Sequence, residues 1–381
     1  MTAQTTTTTA AVTMTGGDVL EALAAVRPAL SRRRNAHPWE RSVWLLVSRE
    51  GAQLRCNTGE VSASVVFAAQ CEENERISAH VDAQTLQQAL QTHATRRGKG
   101  AATVLEVSVD EGRLTIATGA AATSTVPLLD PENMLGEYPA ARLTLVAERD
   151  RFVGDITAAA VCAETGAQAL PILTGIHLDK GKIQCTDRYR LAAFDLNGSG
   201  ELPEVTVPAT PFAKMLKATT GDEVLIGADG ERVSVHADNI RFTIRAIEGD
   251  YPKVDKIAGD RHGLPTMTLQ RQATINLLTP YTKGTHTVSI TPQDQDHLLE
   301  IYGNADEPGA PIAATTMPKG SDDDLEHPLA FNVEYLHDIL TKAHTGPTVA
   351  ITSAGPLKPA EISSAAPGRT VMLQPVRFAT A

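Results

Sequence analysis

Aromatic side chains are scarce, at 4% of the 381 residues, so any core must rest mainly on Val, Leu, Ile and Ala. Cysteine is scarcer: Cys56, Cys71, Cys162 and Cys185 lie far apart with no CxxC pair. That spacing offers no disulfide framework and favours reduced, structural thiols in a cytoplasmic protein. No apolar run nears the ~20 residues of a membrane-spanning helix. The formal net charge of −11 argues against basic charge spread over the whole surface, though not against a single basic face. The Thr-rich stretch Met1–Thr15 lacks both the basic and the apolar regions of a signal peptide and reads as a disordered tail.

Catalytic signatures are absent too. Gly175–Ile183 contains Gly and Lys but not the spacing, or the Ser/Thr after Lys, that a phosphate-binding loop needs. HExxH, GxSxG and GxGxxG do not occur. The eleven histidines are scattered, and His177 with Asp179 would need distant partners to hold a metal. Cys185 alternates with Ile183 along a strand, which makes it a core residue with no adjacent base. The acidic clusters Glu72-Glu73, Asp110-Glu111 and Asp322–Asp324 read as solvated turns and loops. No catalytic residue, metal or cofactor is expected. A metal-dependent hydrolase on a repeated α+β scaffold is the disfavoured rival.

What the chain does have is an internal repeat. The segments Val81–Leu90, Val207–Leu216 and Phe331–Leu340 align without gaps, their starts 126 and then 124 residues apart. Each carries apolar residues at i, i+3 and i+4, one stripe of a short helix: Leu86, Ala89, Leu90; Phe212, Met215, Leu216; Leu336, Ile339, Leu340. Asp82 and Asn332 suit N-caps, and Pro208 or Pro211 suits a first turn. A second helical stretch and a hairpin precede each of these helices, and strands follow. The spacing predicts a unit of about 125 residues, two short helices and antiparallel strands, occurring three times. A unit that large can bury its own core.

Leu170–Leu191 reads as a strand, a turn at Asp179–Lys182 and a second strand ending in Thr186-Asp187-Arg188-Tyr189-Arg190-Leu191. Two guanidiniums and a phenol beside Leu191 suit a groove for a peptide with apolar and acidic groups, as well as an ordinary charged strand end. Positive charge gathers on helices and just after them: Arg27, Arg32, Arg33, Arg34, then Arg96, Arg97 and Lys99. Lys214 and Lys217 lie opposite Phe212, Met215 and Leu216.

Four stretches, Leu170–Gly175, Thr186–Ala192, Glu248–Pro252 and Val371–Phe378, resemble the bacterial DNA sliding clamp, the β subunit of DNA polymerase III, of actinobacterial or actinophage type. The likeness runs from about Gly17 to Phe378. It implies an α+β chain of three repeated DNA-clamp domains, each with two short helices and antiparallel sheets, that forms a ring. The domains would be 16–141, 142–257 and 258–381, after a tail at 1–15. It implies a homodimeric ring around duplex DNA, a processivity factor for DNA replication without catalysis. A DNA polymerase subunit, the clamp loader and repair proteins would dock by short peptides between the second and third domains, and no membrane is involved.

Residue by residue, the resemblance puts Leu173, Thr186, Arg188, Tyr189, Arg190 and Leu191 on one wall of that peptide pocket. Pro252, Lys256 and Ile257 match a second wall. Met372, Gln374, Pro375, Val376, Arg377 and Phe378 match a third. Arg33 matches a DNA-contacting position; Arg32, Arg34, Arg96, Arg97, Lys214 and Lys217 join it on the inner face by helix register and position. Leu277 and Leu278 are candidates for the subunit interface. Gln374 stands where the family usually has Met, which opens a second reading: a spare or inhibitor-resistant clamp with an altered pocket.

Overall fold

The computed structural model describes residues 12–31, 33–72, 76–119, 122–130, 135–136, 138–254, 257, 261–303, 309–320, 323–364 and 369–377. Six α-helices occur among them: α1 Gly16–Val26, α2 Ala83–His93, α3 Arg149–Ala159, α4 Ala209–Lys217, α5 Arg271–Leu278 and α6 Val333–Asp338. A strand runs directly into each one, and antiparallel strands follow each one. The strand-to-helix joint is written in the sequence. Asp82 Oδ1 accepts the Thr85 amide at 2.8 Å and Asn332 Oδ1 accepts the Tyr335 amide at 3.0 Å. Each thereby satisfies a donor that the first helical turn leaves open. In α4, Pro211 occupies the first turn while Lys214 and Lys217 are exposed. Phe212, Met215 and Leu216 are fully buried, as the apolar stripe requires.

The chain forms two compact units. One comprises Met1–Arg149, Gly198–Leu202 and Thr210–Ala246; the other comprises Asp150–Asn197, Pro203–Ala209 and Ile247–Ala381. The first unit holds a five-stranded and a nine-stranded sheet. In the larger sheet Val61–Phe67 pairs with Ile240–Arg245, joining strands from the first and second sequence repeats. Helix α1 packs on Gly51–Asn57 and Val61–Phe67, whose Leu54, Cys56, Ala63 and Val65 are buried.

The second unit holds an eight-stranded and a four-stranded sheet. There Arg190–Asp195 pairs with Arg369–Leu373 in the corresponding way. The cores are aliphatic, with Phe152, Phe194, Phe212, Phe242 and Phe331 as the large exceptions.

Four expectations are corrected. Val12–Thr15 is not tail: it is a strand paired with Val104–Val107, and Thr15 caps α1, because its apolar residues alternate toward the core. Residues 1–11 lie outside the described set. The stretch from Leu170 holds two strands and the start of a third, after a 3-10 turn at Pro171–Thr174. Its second strand stops at Thr186 because the Asp187 carboxylate accepts the amides of Tyr189 and Arg190, folding the chain back. Asp323 is not solvated: its side chain is 2% exposed and accepts from His297 Nε2 at 2.7 Å. Glu73 and Asp322 lie outside the described residues. Leu278 is a core residue of its own unit rather than a surface awaiting a partner.

Candidate functional site

The turn that ends the second strand also builds the site. Thr186 Oγ1 donates to the Arg190 carbonyl and accepts the Arg188 amide. Arg188 takes a left-handed φ of 77°. That conformation costs a non-glycine residue about 1 kcal/mol, and the side-chain bonds of Thr186 and Asp187 offset it. Gln374 extends the adjoining strand pair, its amide donating to the Tyr189 carbonyl at 2.8 Å.

Between these segments lies a pocket of about 260 Å³. Leu191, Met372 and Val254 form one buried apolar cluster at its base. Pro252, Ile257 and Pro359 add apolar wall; Thr186, Arg188, Tyr189, Arg190 and Gln374 add polar groups. Tyr251, beside Pro252, is fixed by stacking on His177 with centroids 4.5 Å apart, and burial pushes its phenol pKa well up.

Arg190 is only 7% exposed. Its Nε and Nη2 bind the Asp187 carboxylate at 2.8 and 2.7 Å, and its guanidinium lies over the Tyr335 ring. Burial is the largest single influence and disfavours the charge, but Asp187, together with Cys162 and Tyr335, holds the guanidinium above its ordinary pKa. Arg188 reaches Glu164 at 3.2 Å from the rim. Tyr189 is 57% exposed and tilts against Tyr335. The Gln374 amide Nε2 donates to the carbonyls of Leu357 and Pro375, at 3.0 and 3.3 Å. A polar side chain is thereby tied into the pocket's edge.

Nine residues singled out by sequence thus meet here: Thr186, Arg188, Tyr189, Arg190, Leu191, Pro252, Ile257, Met372 and Gln374. Leu173, Pro375, Val376 and Arg377 do not line the pocket. Leu173 is the buried residue of the 3-10 turn itself, and the Val376 amide is bound to the Ala330 carbonyl. Lys256 and Phe378 lie outside the described residues. Val254 and Pro359 were missed. Alternation from Pro252 could have found Val254; no local signal marks Pro359.

The cationic candidates separate. Arg33 and Arg34 are exposed and, with Arg27 and Arg41, line a groove of about 410 Å³ beside the start of α2. Arg97, Lys214 and Lys217 are exposed. Arg96 is engaged by Glu21, with Nη2 to Oε1 at 2.9 Å, which lowers the Glu21 pKa. Arg32 lies outside the described residues.

Burial raises the Cys56 and Cys162 thiols to about 12 and Cys185 well above its ordinary value, so none is a ready thiolate. Among the described residues no group of His, Cys, Asp and Glu is placed to hold a metal ion.

Paired strand-to-helix joints over shared antiparallel sheets, with a pocket at the second sheet junction, define a DNA-clamp architecture. Residues 148–253 match the family described as the DNA polymerase III beta subunit, central domain. Over 138 residues the chain is 33% identical to the Beta sliding clamp homolog GriR of Streptomyces muensis, covering 32% of this chain and 37% of the relative. Over 168 residues it is 32% identical to the Beta sliding clamp of Streptomyces coelicolor, covering 39% and 43%. These matches span about two fifths of the curated relatives' length. The fold of a beta sliding clamp of Caulobacter crescentus superposes with a TM-score of 0.81 at 20% identity, over 98% of this chain and 100% of that one. The chain is similar to bacterial DNA sliding clamps, in sequence over part of its length and in fold over nearly all of it.

Proposed function

We propose that the chain is a working sliding clamp: three domains, at 12–141, 142–257 and 258–381, closing as a homodimeric ring around duplex DNA. It performs no catalysis, and works in the cytoplasm by tethering a DNA polymerase to its template. Arg33, Arg34, Arg97, Lys214 and Lys217 meet phosphates without reading bases, so contacts exchange and the ring slides. Arg32 and Arg96 join them in this reading. The polymerase, clamp loader and repair proteins insert peptides with a Gln and two apolar residues into the pocket at Thr186–Leu191, Pro252, Ile257, Met372 and Gln374.

The observation that carries this reading is the pocket itself: an apolar base under a rim of Arg188, Arg190 and Gln374 suits such a peptide. The test joins small-angle scattering with peptide anisotropy. A hollow dimer that binds a labelled clamp-motif peptide supports the proposal. A compact monomer without a central hole overturns it.

Gln374 favours a second, narrower reading, in which the chain is a spare or inhibitor-resistant clamp. One relative bears the name of a sliding clamp homolog, and Gln374 replaces apolar surface with an amide bonded to Leu357 and Pro375. Wild-type affinity for an apolar clamp inhibitor equal to that of the Gln374→Met variant would sink this version.

A further inference from the structure

The pocket has a counterpart at the first sheet junction, and the two can be compared by hydrogen-bond register. At the second junction Leu191 pairs with Met372, and the Gln374 amide donates to the Tyr189 carbonyl. At the first, Ser62 pairs with Thr243, and the Arg245 amide donates to the Glu60 carbonyl. Leu191 therefore corresponds to Ser62 and Met372 to Thr243. The segment Tyr251-Pro252-Lys253-Val254 corresponds to Tyr138-Pro139-Ala140-Ala141. The apolar base of one site is thus polar in the other. Ser62 and Thr243 are each 6% exposed; Thr243 bonds Ser234, and Ser234 accepts the Ala141 amide.

The next row on the same sheet face is cationic. Arg55 pairs with Ser64, Ser64 with Arg241, and Arg241 with His236 across four adjacent strands. Arg241 is exposed, and Arg55 Nη2 donates to Gln53 at 2.6 Å. These side chains and Tyr138–Ala140 bound a groove of about 510 Å³, and among the described residues none that lines it is acidic. Burial, then Arg241, lowers the His236 pKa, so its ring meets a ligand as a neutral hydrogen-bonding group near neutral pH. The face is opposite the one where Cys56 and Ala63 lie buried under α1, and on a chain of net charge −11 such a groove is a local exception.

We propose that this groove is a second docking site, polar where the other is apolar, which takes a short acidic segment of a partner protein between Arg55 and Arg241. The two guanidiniums donate to its carboxylates, and the serine and histidine side chains bond its backbone. Only the comparison of shape rests on the peptide reading of the pocket near Arg190.

The test uses the full chain and a fluorescein-labelled decapeptide of alternating Asp and Ser, read by anisotropy at low salt. The same peptide with Asn for Asp, a labelled single-stranded decanucleotide and a clamp-motif peptide run in parallel. The Asp peptide should bind, and the Asn peptide should bind at least about tenfold more weakly. Arg241→Glu should weaken the Asp peptide by at least about tenfold, while Arg113→Glu, exposed on the other sheet of the unit, leaves it within about twofold. Thermal unfolding confirms that each variant is folded. Unchanged Asp-peptide binding by Arg241→Glu overturns the proposal. So does no binding, or an Arg241-dependent preference for the oligonucleotide. The clamp-motif peptide should ignore Arg241→Glu; its failure to bind the wild type would count against the Arg190 pocket alone.

Discussion

The Arg190 guanidinium carbon lies 4.1 Å from the centroid of the Tyr335 ring, while its nitrogens grip Asp187. One buried cation therefore closes the turn that forms the pocket and braces it against α6. Removing it leaves the Asp187 carboxylate buried beside two backbone amides alone. Arg190→Ala is expected to cost about 3 kcal/mol of stability, near the lower end for a broken buried pair, and to abolish clamp-motif peptide binding. Tyr189→Ala removes an exposed ring instead and should weaken the peptide with stability changed by no more than about 0.5 kcal/mol. Urea denaturation beside anisotropy checks both. Equal effects of the two substitutions on stability would contradict the assigned roles.

Gln374 bonds backbone at Leu357 and Pro375, so its amide is occupied by the pocket's own rim. Gln374→Met should free that edge and extend the apolar base formed by Leu191, Met372 and Val254. A gain of about 1 kcal/mol, some fivefold in affinity for a peptide with apolar ends, is expected from one buried apolar group. Titration calorimetry with the same peptide on both proteins checks it. Weaker binding by the variant would mean that the amide contacts the ligand directly.

His344 is buried, donates to or accepts from Ser364 at 3.1 Å, and has its pKa lowered from 6.5 to about 4 by burial, then by Arg369 and Arg271. The folded value lies below the unfolded one, so the folded state favours the neutral ring. Its contribution is intact above pH 6.5 and is lost as the pH falls toward 4. The loss is at most about 3 to 4 kcal/mol. Urea midpoints between pH 7 and pH 4 should fall less steeply in His344→Gln than in the wild type. Parallel slopes would remove His344 as the cause.

Much of this was legible in sequence, and the rest failed for physical reasons. The helices carry apolar stripes and side-chain caps at Asp82 and Asn332, which are local signals. Alternation exposed the strands and placed Cys185 in a core. Arg190 was readable as part of a pocket but not as buried, because its burial depends on Tyr335, far along the chain. Asp323 looked like part of a solvated acidic run, since nothing nearby announces His297 as its partner. The turn at Asp187–Arg190 carries no local turn signal in three of its four residues, Arg188, Tyr189 and Arg190, which favour strands or surfaces. The side chains of Thr186 and Asp187 decide it instead.

Arg96 supplies the sharpest separation of charge from geometry. It sits just beyond α2, but Glu21 of α1 holds its guanidinium, and both side chains are about half exposed. An exposed pair of this kind contributes no more than about 1 kcal/mol, so breaking it leaves the fold intact. Glu21→Ala should therefore release a positive charge and remove a negative one on the face proposed to meet DNA. Retention on circular duplex DNA should rise, most at low salt, where exposed charges act over the longest range. Lys214→Ala with Lys217→Ala should move retention the opposite way, reducing the salt slope by up to about 1.8 if each lysine meets one phosphate. Both effects are read by the rate at which protein leaves nicked plasmid at several salt concentrations. If Glu21→Ala and the double lysine variant shift retention in the same direction, these residues do not share one DNA-facing surface.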